Sequence, residues 1–198
     1  MSDSPNKKLD RLLADIRQCT LCSGKIPAPN PVVRGSSSAK ILIIGQAPGT
    51  KVHASGIPWD DASGATLRTW MGLNKTSFYD ESLVAIVPMG FCYPGKGKSG
   101  DLPPRPECAP AWHEPLLALL PSIECTLLIG AYAQSHYSQA VHSSLTERVS
   151  SWASFAPETF MLPHPSPRNR AWFKKHPWFN RNVVPALQKH VSLVLSET

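Results

Sequence analysis

Ile41-Leu42-Ile43-Ile44-Gly45-Gln46-Ala47-Pro48-Gly49 is the stretch on which the fold turns. An unbroken aliphatic run of four residues, ended by glycine, is the pattern of a strand buried on both faces of a parallel sheet. In such sheets the loop at the carboxyl end of the strand carries function. Gly45–Gly49, continued through Gly56-Ile57-Pro58-Trp59-Asp60-Asp61 to Gly64, is therefore the first candidate loop. Three further runs share the pattern, Leu83–Val87, Thr126–Ile129 and Phe160–Leu162, each followed by a glycine or proline turn. Helical segments are predicted between them over Ala65–Met71, Ala111–Leu120 and Tyr132–Tyr137, the last with an extension beyond. This alternation predicts an α/β fold, three layers α/β/α around a central, mainly parallel four-stranded sheet, with the active loops at the ends of neighbouring strands.

Outward from that core, Leu9, Leu12, Leu13 and Ile16 fall at helical spacing, so Lys7–Gln18 is predicted to be an amphipathic helix. Cys22–Ala39, rich in Pro, Gly and Ser, reads as an irregular connection. Near the other end, Pro185 interrupts a helical pattern over Trp178–Leu195 and either kinks that helix or opens its second half.

The chain has 198 residues, 42% of them hydrophobic, without internal repeats, which suits one domain spanning 1–198. Its 20 prolines are spread among apolar runs, which argues against wholesale disorder. No apolar stretch is long enough for a bilayer span. Met1–Asp10 carries Asp3, Lys7, Lys8 and Asp10 where a signal peptide needs an apolar core, so a cytoplasmic, monomeric protein is expected.

The formal net charge of +6 is concentrated. Residues 159–196 hold Arg168, Arg170, Lys174, Lys175, Arg181 and Lys189 and no acid. Trp172-Phe173, Trp178-Phe179 and Trp152 with Phe155 lie within or beside this segment. Basic residues interleaved with aromatics are the footprint of a nucleic-acid surface; the alternative is a terminal helix whose polar face is basic.

Four cysteines fall in two groups, Cys19-x2-Cys22 after the first helix, and Cys92 and Cys108 at the ends of a Gly- and Pro-rich segment. Four thiolates from two loops can enclose one ion or one cluster, and spacing does not separate zinc from iron–sulfur. A redox pair of the thioredoxin kind would start a helix after a strand, whereas Cys19 and Cys22 follow a helix. Cys125 opens an apolar strand and reads as a core residue.

The second candidate loop, His164-Pro165-Ser166-Pro167-Arg168-Asn169-Arg170, follows the last strand. The first is neither a P-loop nor G-x-G-x-x-G, since its glycines are wrongly spaced for both and no Lys-Ser or Lys-Thr pair follows.

Taken together, Gly45-Gln46-Ala47-Pro48-Gly49 and His164-Pro165-Ser166-Pro167-Arg168-Asn169 resemble the two motifs of the uracil-DNA glycosylase superfamily. The second is similar to that of the single-strand-selective glycosylases, while the four cysteines resemble the iron–sulfur ligands of the family 4 enzymes. The resemblance runs from about Cys19 to the last helix. It implies a monofunctional glycosylase acting on a deaminated base in DNA, with a 4Fe-4S cluster, or zinc in the same cage, on Cys19, Cys22, Cys92 and Cys108. His164 is then the donor to the leaving base. Trp59 stands at the base-stacking position, with Ala47 and Met89 beside the base. Ser166, Arg168, Asn169, Arg170 and Lys174 fall to DNA. The chain departs from the family at two points. Gln46 and Ala47 replace the acid or Asn of the first loop, which turns attention to Asp60 and Asp61, either of which could hold the water with Gln46 or cap the helix that follows. Pro88, with Met89 next to it, stands where family 4 has the uracil-reading Asn. A binding module for damaged or abasic DNA that does not cut is the alternative.

Overall fold

The computed structural model of the chain describes residues 5–138 and 144–196. Asp3 lies outside the described residues, as does any extension of the Tyr132–Tyr137 helix past Ser138.

The aliphatic run is strand β1 (Ile41–Ile44), buried along its whole length. It pairs in parallel with β2 (Val84–Ile86), Ile41 opposite Val84, and on its other side with β3 (Cys125–Ile129), Ile41 opposite Cys125. β3 pairs in parallel with β4 (Thr159–Leu162), Leu127 opposite Phe160. The sheet order is β2-β1-β3-β4. Helices cover both faces of this all-parallel sheet in a three-layer α/β/α arrangement. Burial on both faces is why these strands are apolar runs, with half-buried Thr126 and Thr159 the polar exceptions. The order also corrects one expectation: β1 and β4, which precede the two candidate loops, are not neighbours, because β3 lies between them. β3 ends at Gly130, whose φ of 83° turns the chain directly into a helix and away from the sheet end.

α1 (Pro5–Arg17) buries Leu9, Leu13 and Ile16 as its spacing predicts. α2 (Thr50–Ser55) and α3 (Ala62–Met71) follow β1, and α4 (Lys75–Tyr79) precedes β2. α5 (Cys108–Leu117) leads to β3, α6 (Gly130–Tyr137) and α7 (Leu145–Ser150) lead to β4, and α8 (Arg170–Lys175) and α9 (Val184–Ser196) close the described chain. Pro185 is the second residue of α9, and a π-helical turn over Phe179–Val183 precedes it. The helical path is unbroken from Trp178 to Ser196, and the proline sits where the π-helical turn passes into the α-helix. Residues 22–39 are irregular, yet Arg34 exchanges backbone hydrogen bonds with Ile86 (3.0 and 2.8 Å) and so covers the outer edge of β2. Among the described residues no helix is long and apolar enough to cross a membrane.

The aromatic pairs of the basic segment serve packing. Trp172, Phe173, Trp178 and Phe179 pack on one another and on Trp70, with Trp70 and Phe179 ring centres 4.8 Å apart. The Trp172 indole N–H donates to Thr146 Oγ1 at 2.9 Å, and Trp152 stacks on Phe160. These rings bind the carboxyl-terminal helices to the core. The six basic side chains of the segment stay exposed, and none of them is ion-paired among the described residues.

Candidate functional site

A cleft of about 460 Å³ opens at the carboxyl ends of the strands. Both candidate loops line it: Gln46, Ala47 and Gly49 from the first, His164, Ser166, Arg168 and Asn169 from the second. Trp59, Asp61, Pro88 and Asp101 complete the walls that matter chemically.

Trp59 is held by a set of close approaches. Its φ of 58° lies in the left-handed region, a conformation costing an L-residue about 1–2 kcal/mol. The cost is offset by what surrounds it. A Cβ on Gly64 would lie 1.7 Å from the Trp59 carbonyl oxygen, and one on Gly45 would lie 2.9 Å from the indole ring. Arg68 Nη1 also donates to that carbonyl at 3.3 Å. The indole is thus seated by the two glycines that bound the first loop, and its ring centre lies 5.7 Å from that of His164.

The second loop is built to hold His164. Asn169 Nδ2 donates to the His164 carbonyl at 2.7 Å, and the Arg168 N–H donates to Ser166 Oγ at 3.2 Å, capping the short 3-10 turn over Pro167–Asn169. Asn169 therefore serves the loop, with its amide already engaged. Beneath it, fully buried Gln134 donates from Nε2 to the carbonyls of Leu128 (3.2 Å) and Leu162 (2.9 Å) and accepts from Arg148 Nε (3.1 Å). This satisfied buried network ties the ends of β3 and β4 together two residues before His164. Burial lowers the His164 pKa, and the charges of Asp61 and Asp101 oppose the shift. The imidazole is neutral at pH 7, able to donate one N–H without carrying charge.

The two adjacent carboxylates face different ways. Asp61 lines the cleft and caps α3, its Oδ1 accepting from the Gly64 N–H at 2.8 Å. Asp60 does not join the cleft wall; it pairs with Lys75 at 3.3 Å. The left-handed turn at Trp59 decides which of the two faces inward. Gln46 lines the cleft, and its Nε2 reaches the Leu102 carbonyl at 3.5 Å.

Other expected site residues fall elsewhere. Met89 is buried in the core, its N–H bonded to the Gly45 carbonyl at 2.9 Å, and Pro88 is the residue that faces the cleft. Arg170 and Lys174 are exposed on α8, outside the cleft wall, whereas Arg168 reaches across to Gly100. Asp101 was not a candidate from sequence. It lies in a glycine-rich hairpin far along the chain from both loops, and only its place in a Gly- and Pro-rich turn could have drawn attention to it.

Cys19, Cys22, Cys92 and Cys108 converge on a second, small cavity between the end of α1 and the start of α5. Burial raises the Cys22, Cys92 and Cys108 thiols and neighbouring cysteines add to the shift, whereas Cys125, buried at the start of β3, is shifted by burial alone. Three of the sulfurs already have N–H donors: the Phe91 amide on Cys108 at 3.3 Å, the Asn30 amide on Cys92 and Arg105 on Cys22. Trp112 lines the same cavity, and its indole N–H is buried without a partner. Such N–H groups around sulfur are what a metal–thiolate centre requires. Among the described residues no group of three or more His, Cys, Asp or Glu is placed to hold a metal ion.

Residues 32–188 match the family model of the uracil DNA glycosylase superfamily.

Proposed function

Because the chain belongs to the uracil DNA glycosylase superfamily, we propose that it hydrolyses the N-glycosidic bond of a deaminated base in DNA, uracil or a close relative. The observation that carries this reading is the meeting of both motif loops on one cleft, with Trp59 and neutral His164 side by side within it. Glycosidic cleavage leaves an oxocarbenium-like sugar and an anionic base. A preorganised N–H aimed at the base oxygen stabilises that anion, and His164 supplies it. A base brought into the cleft must leave its stack and be gripped by a flat side chain. Trp59 offers that face beside His164. Asp61 places negative charge on the cleft wall near the developing cation, and Gln46 orients water without taking its proton. Pro88 has no side-chain amide to read uracil, so selection rests on cleft shape with Ala47. Ser166, Arg168, Arg170 and Lys174 lie on or beside the rim and serve the phosphates.

We place the chain nearest the iron–sulfur, family 4 type, with a second motif of the single-strand-selective kind. Cys19, Cys22, Cys92 and Cys108 would hold a 4Fe-4S cluster. Its contribution when bound is to cross-link the end of α1 to the β2–α5 segment. A lone zinc ion would bring its sulfurs to roughly 3.8 Å from one another, given Zn–S bonds of about 2.3 Å. The convergence of all four thiols on one small cavity supports a shared centre there. The same reading takes the protein as one monomeric, cytoplasmic domain.

The test is base release from oligonucleotides carrying uracil, hypoxanthine or xanthine, in single and double strands. The wild type should release at least one base. His164→Ala should lose about a hundred- to a thousandfold in rate and keep its DNA affinity. Release of none, with lesion DNA still bound in preference to intact DNA, would make the protein a binding module.

A further inference from the structure

Asp101 reaches the cleft from a hairpin that belongs to neither motif loop. Gly97 N–H to Gly100 carbonyl (2.6 Å) and Leu102 N–H to Gly95 carbonyl (2.9 Å) close that hairpin, and Lys96 and Asp101 face each other across it. The carboxylate points at the first loop: a Cβ on Gly49 would lie 3.5 Å from Asp101 Oδ2. The neighbouring Leu102 carbonyl faces Gln46 Nε2 at 3.5 Å, so hairpin and loop meet at two successive residues. On the far wall stands His164, close enough to feel the Asp101 charge.

Three carboxylates lie in this region, and their engagements differ. Asp60 pairs with Lys75, and Asp61 gives one oxygen to the cap of α3. Among the described residues the Asp101 carboxylate has no hydrogen-bond or ion-pair partner, although Arg168 passes beside it at Gly100. The Gly45–Gly49 loop lines the cleft with Gln46, Ala47, Pro48 and Gly49, and no side chain among them can accept a proton. A water held between Gln46 and the hairpin would find its proton acceptor in Asp101.

We propose that Asp101 is a catalytic carboxylate, taking the proton of the attacking water from the hairpin side; this rests on the glycosylase reading. The glycosidic C1′–N bond breaks with its electron pair leaving on the base, which His164 stabilises by N–H donation. The water oxygen bonds to C1′, and the proton it sheds passes to Asp101 and then to solvent. Proton transfer of this kind typically contributes a hundredfold or more.

Asp101→Asn and Asp101→Glu in the full chain test this, by single-turnover release of whichever base the wild type excises. Affinity is measured in parallel on the same oligonucleotide with a 2′-fluoro sugar that resists cleavage. Asp101→Asn should lower the rate by about a hundredfold with affinity unchanged or tighter, and Asp101→Glu should recover much of the rate. Thermal stability should be unchanged in both, since the side chain is exposed and unpartnered. An active wild type with Asp101→Asn within about twofold of it would overturn the proposal and leave the glycosylase reading standing. So would a loss of rate that tracks a loss of DNA affinity. A wild type that releases no base would overturn both.

Discussion

Gly64→Ala sets two effects of opposite sign against each other. Gly64 is the third residue of α3, where helix propensity alone favours alanine by about 1 kcal/mol. The added Cβ, however, would lie 1.7 Å from the Trp59 carbonyl oxygen, 2.6 Å from its carbonyl carbon and 2.8 Å from its Cβ. Two of those three atoms are backbone, so no change of rotamer relieves them. Ordinary contact would require α3 and the Trp59 turn to part by roughly 1.5 Å, an overpacking that costs roughly 1–3 kcal/mol. That movement also stretches the Asp61 cap on the Gly64 N–H, now 2.8 Å, a bond worth about 1 kcal/mol. Contact and cap outweigh propensity, leaving a net loss of about 2 kcal/mol, or roughly 4–8 °C in melting temperature for a chain of this size. Urea unfolding followed by circular dichroism reads the stability, and base release reads the displacement of Trp59 from Gly45 and His164. A variant as stable as wild type, or stabilised by the propensity term, would refute the packing argument.

Two further outcomes follow from the same geometry. Replacing Cys19, Cys22, Cys92 or Cys108 by Ser should abolish the visible absorption of anaerobically purified protein, expected to hold about four irons per chain, while Cys125→Ser should retain it; a colourless wild type with one zinc would reject iron. Burial holds both His113 and His164 below the ordinary value of 6.5; for His113 the Pro88 carbonyl opposes the shift and His136 adds to it, and for His164 Asp61 and Asp101 oppose it. The unfolded chain therefore takes up these protons first, so stability should be level above about pH 6.5 and fall below it, by at most about 1.4 kcal/mol per pH unit for each histidine. Urea midpoints between about pH 5 and 8 check this, and a midpoint that rises on acidification through that window would contradict it.

The strands were legible to within two residues at each end, because burial on both faces writes a parallel strand into the chain as a mainly apolar run. The helices with an apolar stripe were legible for the same kind of reason. Thr50–Ser55, Lys75–Tyr79, Leu145–Ser150 and Arg170–Lys175 were not, since helices of five or six residues lack a period to read and are held by what they pack against. The aromatics of the basic segment show the limit in another way. Composition marks Trp172 and Trp178 as present, and only packing decides that they face inward.

The two motif loops belong to the sequence, with His164 and Trp59 among their residues, because each loop is a local run directly after a strand. Their meeting is tertiary: β3 separates β1 from β4, and the Gln134 network joins the ends of β3 and β4 below the second loop. The four cysteines likewise could be grouped by spacing, while the N–H donors on their sulfurs come from Asn30, Phe91 and Arg105, which no spacing rule connects. The choice between Asp60 and Asp61 turns on one backbone angle at Trp59, and that angle exists because Gly64 lets the helix approach the turn. Asp101 reaches Gly49 only when the hairpin folds over the first loop. Local patterns record what a residue needs from its immediate neighbours, and so they reveal strands, caps and loops; which groups share a cleft is set by contacts between segments far apart in the chain, and those exist only once it has folded.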